Sequence, residues 1–200
     1  MSDRVDMFSI PIYKGSLSGD VVDIENTWDL LNHIWGECGE GVWSGETGRT
    51  TAEKNLMLHT YREMEWIIEG MLPSVVDYWD NHLRYAPSQI QVSSSWANLH
   101  FDNDVTMEHS HSDGVRQAHV ASVFYLKKQE GGDISFCNPL DYIHRLTPLA
   151  NPVGDAILSK EVKCLTGDFL LFPGWLRHKT SPSNGKRVAI SVNFYGNHLD

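Results

Sequence analysis

The chain has 200 residues, 41% of them hydrophobic, with 26 acidic against 16 basic side chains and a formal net charge of −10. That length and apolar content suit one domain with a core of its own, and the negative balance argues against a nucleic-acid partner, whose phosphates demand a basic surface. No apolar run approaches the roughly 20 residues that span a bilayer. Met1-Ser2-Asp3-Arg4-Val5-Asp6 also lacks the basic start and apolar stretch of a signal peptide. Cys38, Cys137 and Cys164 are scattered and form no CxxC pair, so a reducing, cytoplasmic setting is expected.

In chain order, Met7–Tyr13 predicts an edge strand, because Pro11 withholds a donor. Trp28, Leu31 and Trp35 follow at helical spacing, with Asn26 as candidate cap and Gly36 as the stop. The glycine-rich stretch Gly36–Gly48, which carries Trp43, predicts a loop that could close over a site. Met57, Tyr61, Met64, Ile68, Met71 and Val75 step by four and three and predict an amphipathic helix. Pro73 kinks it or opens a second helix ending near Arg84.

From Gln89 the pattern turns to period two, and strands are expected over 89–101, 105–111, 119–127, 133–136, 156–165, 168–172 and 186–195. Gly131-Gly132, Thr166-Gly167, Pro173-Gly174 and Asn184-Gly185 punctuate them. The expectation is an α+β, mainly β, single domain over 1–200. It has a helical support region over 1–88 and a jelly-roll core over 89–200, with the helices packed on one face.

The motif His-x-Asp occurs three times, at His100, His111 and His198, so alone it singles out none of them. On a strand, residues i and i+2 face the same way, and either of the first two pairs could aim an imidazole and a carboxylate at one metal. His198-Leu199-Asp200 has no strand after it to supply a third ligand. His100-Phe101-Asp102 ends a strand rich in core residues and reads as a hydrogen-bonded pair beside a turn. His111-Ser112-Asp113 runs into a polar segment with Gly114, where a strand meets a loop and accessible sites are built.

With His178 as third ligand, His111 and Asp113 make a 2-His-1-carboxylate set, which leaves positions on Fe(II) for O2 and a chelating co-substrate. His109 shares the face of His111 and stands as an alternative ligand, an outer-sphere group or a substrate contact. Nine residues after His178, Arg187 shares a strand face with Ala189, Ser191 and Asn193, opposite a uniformly apolar face of Val188, Ile190, Val192 and Phe194. A buried Arg needs a fixed anion, either a ligand carboxylate or a structural Asp or Glu. Tyr125 could add a hydroxyl to the same anion. Trp175, Asn98 and Asn193 fall near the same cavity by parity or adjacency.

These residues resemble the Fe(II)/2-oxoglutarate-dependent oxygenases, in particular the prolyl-hydroxylase-like branch. The resemblance rests on His111 to Leu126 with Phe124-Tyr125-Leu126, and on the step from His178 to Arg187. The chain is similar, more closely, to a family of small 2-oxoglutarate oxygenases. It shares Met7–Ile12, Ser95-Trp96-Ala97-Asn98, His109-Ser110-His111, Leu171–His178, and Arg187 through Asn193-Phe194 with that family.

The resemblance implies a double-stranded β-helix, with iron held by His111, Asp113 and His178. It also implies 2-oxoglutarate bound by Arg187 with Tyr125 and Ser191. The implied reaction is hydroxylation of a C–H bond of a peptidyl proline, an amino acid or a small metabolite. It consumes O2 and releases succinate and CO2, with ascorbate as a candidate accessory. Small-family members often carry Pro after the His-x-His, whereas here Asp113 fills the prolyl-hydroxylase position. Two other readings stay open: a cupin-type metalloenzyme without 2-oxoglutarate, which has no need of Arg187, and a non-enzymatic jelly-roll binding module.

Overall fold

The computed structural model describes residues 9–38, 48–86, 88–112, 118–141 and 158–198. The alternating second half forms most of the strands: β1 (Tyr13–Ser16), β2 (Arg49–Thr50), β3 (Ser88–His100), β4 (Val120–Gly131), β5 (Ile134–Cys137), β6 (Ser159–Val162), β7 (Asp168–Pro173), β8 (His178–Thr180) and β9 (Ser183–His198). They pair antiparallel throughout, as a six-stranded sheet ordered β1-β7-β4-β9-β3-β2 and a three-stranded sheet ordered β6-β5-β8. This is the expected mainly β jelly-roll, with helices α1 (Val21–Glu37) and α2 (Glu65–Asp77) packed on the larger sheet.

Strand β9 shows why two layers form on either side of one sheet. Val188, Ile190, Val192 and Phe194 face outward into a core shared with Leu31, Trp35, Ile67 and Met71 of the helices. Ala189 faces the other way, into a second core with Tyr125, Ile134, Phe136 and Phe172, which fills the space between the sheets. Period-two alternation sends successive side chains to opposite faces, so one strand supplies both the helix-binding surface and the barrel interior.

Several boundaries differ from expectation. Helix α1 starts well before Asn26, because the carboxylate of Asp20 accepts from the amide of Asp23 (2.8 Å) and caps the first turn. It then runs through Gly36 to Glu37. The helical spacing at Met57 and Tyr61 yields two short 3-10 turns, Leu58–Thr60 and Arg62–Met64, before α2 begins. β3 reaches across and takes the backbone groups a longer helix would use: Ser95 donates to the carbonyl of Leu56 (2.8 Å), and the amide of His59 donates to Ser95 Oγ (2.6 Å). α2 passes through Pro73, widens to a π-helical stretch over Tyr78–Leu83, and ends at Arg84 with φ 54°.

The expected edge strand lies at the sheet edge but covers Tyr13–Ser16, with its partner β7 on one side only. The expected strand over 105–111 is not one. Thr106 and His109 make single bridging contacts to β8, and the residues between them are irregular. β6 is shorter than the expected 156–165, and β8 replaces what reads as loop. The proposed lid over Gly36–Gly48 falls largely on residues 39–47, including Trp43, which lie outside the described residues.

Candidate active site

Three histidines meet where the irregular segment after β3 crosses the start of β8. The amide of His109 donates to the carbonyl of His178 (3.0 Å), and that of His178 returns a bond to the carbonyl of His109 (2.9 Å). The amide of His111 donates to the carbonyl of Gly174 (2.8 Å), in the turn before β8. The ligand atoms of His109, His111 and His178 all lie within 4.8 Å of one another.

Each ring commits its Nδ1 elsewhere. His109 Nδ1 lies 2.8 Å from the carbonyl of Met107, His178 Nδ1 2.9 Å from that of Leu176, and His111 Nδ1 2.6 Å from Asn193 Oδ1. A backbone carbonyl only accepts, so His109 and His178 carry a proton on Nδ1, and His111 does the same where Asn193 presents Oδ1, which gives Nε2 the ligating role. Burial, reinforced by His109 and partly offset by Asn193, lowers His111 to about 4. Burial, with His111 and His109 added, holds His178 well below its ordinary value. Neutral imidazoles are the ligating form, and the group fits a divalent transition metal.

Asp113 lies outside the described residues. His100-Phe101-Asp102 is not part of the histidine group: the Asp102 carboxylate accepts from the amide of Gly185, while His100 turns to Arg187. The side chain of His198, and all of Asp200, lie outside the described residues.

Arg187 is 4% exposed, with its guanidinium carbon 5.3 Å above the Tyr125 ring and Nη1 3.4 Å from His100 Nδ1. Among the described residues no carboxylate pairs with it. Asp133, the buried acid next to Gly132, is engaged by Lys128 Nζ (2.8 Å) and the amide of Cys164 (3.3 Å). Burial pushes the Tyr125 phenol up and Arg187 pulls it back in part. Burial, then Arg187, lowers His100 to about 4. Gly132, at φ +61°, leaves the space the Arg187 stem occupies: a Cβ there would sit 2.6 Å from Arg187 Cδ and 2.8 Å from Ser183 Oγ.

Among the described residues six buried side-chain polar atoms have no hydrogen-bond partner, and five gather here: Arg187 Nε, Tyr125 Oη, His100 Nε2, Ser183 Oγ and Asn98 Oδ1. Buried polar groups are rarely left so, and a cluster of them beside a guanidinium that no described carboxylate meets fits an acidic ligand. The three histidines, Arg187, Asn98 and Ser191 line one and the same cavity. Trp175 is 46% exposed and is not on that wall. His100, Gly132 and Ser183 are the residues that sequence reasoning missed. Gly131-Gly132 gave only a turn signal, and the contact of His100 with Arg187 exists only across the β3–β9 pairing.

An antiparallel double-sheet barrel, three convergent imidazoles and a buried arginine in the same cavity are the features of a jelly-roll non-haem metalloenzyme. The family model described as "Putative 2OG-Fe(II) oxygenase" matches residues 94–195, and the chain belongs to that family. It is a 2-oxoglutarate/Fe(II)-dependent oxygenase, which takes Fe(II), 2-oxoglutarate and O2.

No curated protein matches the chain. Among solved structures, it is similar to a prolyl-4-hydroxylase from Pseudomonas putida (12% identity, 95% of each chain covered, TM-score 0.61). It is also similar to HygX from Streptomyces hygroscopicus with nickel and 2-oxoglutarate bound (14% identity, 95% of this chain and 84% of that one, TM-score 0.63). A third is a Trichoplax adhaerens prolyl hydroxylase in complex with a hypoxia-inducible-factor peptide (12% identity, 92% and 83%, TM-score 0.59). At these identities the likeness is one of fold.

Proposed function

We propose that the protein hydroxylates an unactivated C–H bond of a peptidyl proline, an amino acid or a small metabolite. Fe(II) is held by Nε2 of His111 and His178, and the third protein ligand is His109. Asp113, which the family resemblance places in that role, is the competing candidate. Arg187 anchors the distal carboxylate of 2-oxoglutarate, with Tyr125 behind it and Ser191 on the cavity wall. The observation that carries this reading is the unpartnered Nε of a buried Arg187, on the wall of the cavity the histidines also line, with four further unpartnered atoms on Asn98, His100, Tyr125 and Ser183. Such a cation without a carboxylate is costly unless a ligand completes it.

Bound iron and 2-oxoglutarate supply the O2 chemistry, in which the co-substrate leaves as succinate and CO2. The chain's own residues fix geometry. Nδ1 hydrogen bonds orient the imidazoles, Arg187 sets the reach of the co-substrate, and Phe172 and Ile134 keep part of the wall apolar. The substrate enters as a peptide or a small molecule, and ascorbate serves as an accessory. Anaerobic titration of the Fe(II)-loaded protein with 2-oxoglutarate, followed by visible charge-transfer absorption, tests the reading. A band that is weakened in Arg187→Ala and abolished in His178→Ala is expected. Bound iron without any band would favour a metalloenzyme that does not use 2-oxoglutarate.

A further inference from the structure

His111 differs from the other two histidines in how its second nitrogen is held. The Nδ1 atoms of His109 and His178 face backbone carbonyls, which accept and cannot donate. Nδ1 of His111 faces a side-chain amide, Asn193, at 2.6 Å, and an amide can be placed either way round. With Oδ1 toward the ring, the imidazole proton stays on Nδ1 and Nε2 is free. With Nδ2 toward the ring, the proton is driven to Nε2 and the lone pair is lost from the cavity.

In the orientation the structure shows, Oδ1 meets the ring and Nδ2 has a partner of its own, which the β3–β9 pairing supplies. The register shifts between Val92 and Ser94, so that Ser93 is an extra residue and Ser94 lies opposite Asn193. Bulges of this kind re-aim side chains and gather next to active sites. Ser94, 1% exposed, receives Asn193 Nδ2 on its hydroxyl at 3.1 Å, and Asn193 is itself 4% exposed. Trp96 and Phe172, with ring centroids 5.3 and 5.8 Å from that of His111, flank the imidazole.

We propose that Asn193, hydrogen-bonded to Ser94 across the bulge, is a positioning residue that holds His111 in the tautomer whose Nε2 is available to the metal. This rests on the reading that His111 ligates the iron. Loss of a partner that orients a metal-bound histidine typically lowers metal affinity about 10–100-fold.

The test has two arms. In the metal-free wild-type protein, long-range imidazole nitrogen–proton NMR should show His111 as a single Nδ1–H tautomer; an Nε2–H tautomer overturns the proposal without any variant. Co(II) affinity is then measured by anaerobic equilibrium dialysis on the wild type, Asn193→Leu, Asn193→Asp and Ser94→Ala. The expected result is a roughly 10–100-fold weaker Co(II) site in Asn193→Leu, and recovery in Asn193→Asp, which can only accept when ionised. Ser94→Ala should fall between them. A wild type that binds Co(II) while Asn193→Leu binds it equally well sinks the role of Asn193 and leaves the oxygenase reading standing. A wild type that binds no Co(II) sinks both.

Discussion

His109 and His178 exchange both of their backbone hydrogen bonds, at 3.0 and 2.9 Å, and their rings stand with centroids 4.4 Å apart. Residues paired this way project their side chains to the same side of a ladder. The protein therefore presents two imidazoles to one point through backbone geometry alone, before any ion arrives.

That pairing makes a choice between His109 and Asp113 measurable. His109→Ala should weaken Co(II) binding by more than the roughly 10–100-fold expected for loss of an outer hydrogen-bond partner, while Asp113→Ala leaves it within a few-fold. Isothermal titration on both variants decides it. The opposite ranking would give the third position to Asp113.

Arg187 is a buried cation with no carboxylate partner among the described residues, so it should cost stability in the absence of its ligand. Replacement of buried ionic groups by apolar side chains of similar volume often stabilises by about 1–4 kcal/mol. Arg187→Met should accordingly raise the thermal midpoint of the ligand-free protein and abolish the further rise that 2-oxoglutarate produces in the wild type. Differential scanning fluorimetry with and without 2-oxoglutarate reads both effects. A lower midpoint in the variant would mean that Arg187 has a structural partner.

Gly132→Ala should act on stability and on the co-substrate together. Its φ of +61° is unfavourable to a side chain by about 1–2 kcal/mol, and the new Cβ would press on Arg187 Cδ and Ser183 Oγ. A lower urea midpoint and a raised KM for 2-oxoglutarate are expected. If the midpoint falls and KM does not move, the guanidinium is not held by this contact.

His100 supplies a pH dependence away from the metal. Its folded value of about 4 lies below the ordinary 6.5, chiefly through burial and then through Arg187. Between those values the unfolded chain binds the proton and the folded chain does not, so stability falls as pH drops from 6.5 toward 4 and this contribution then levels off. The full effect is on the order of 3 kcal/mol. In His100→Gln the slope of unfolding free energy against pH across that window should flatten by one proton. An unchanged slope would show that His100 titrates alike in both states.

Much of this site could be read in the residues because the strand carrying it is strictly alternating. Val188, Ile190, Val192 and Phe194 are apolar and Arg187, Ser191 and Asn193 polar, so a cavity face with an Arg followed from parity. Parity could not separate His109, His111 and Asp113, which share one face of any extended segment. Nor could it reveal that the segment over 105–111 is not a strand. Val105, Met107, His109 and His111 alternate convincingly, but the segment meets β8 through single bridges at Thr106 and His109. Strand β8 is three residues long, too short to leave a pattern of its own. The bulge at Ser93 is set by pairing across about a hundred residues of chain, and the local sequence Ser93-Ser94-Ser95 does not distinguish which serine is extra.

The two-faced character of β9 has a consequence for how this enzyme can vary. The wall of the cavity and the floor beneath the helices are a single peptide thick, and a slip of one residue against β3 or β4 would exchange them. Arg187 would then be thrust among Leu31, Ile67 and Met71, and Val188 would take its place beside His100. An insertion or deletion inside β9 would therefore unmake the packing of the helices and the anchoring of the co-substrate in one stroke. Point substitutions on its cavity face leave the helix-facing side chains in place, so the co-substrate site can be altered there while the scaffold is preserved.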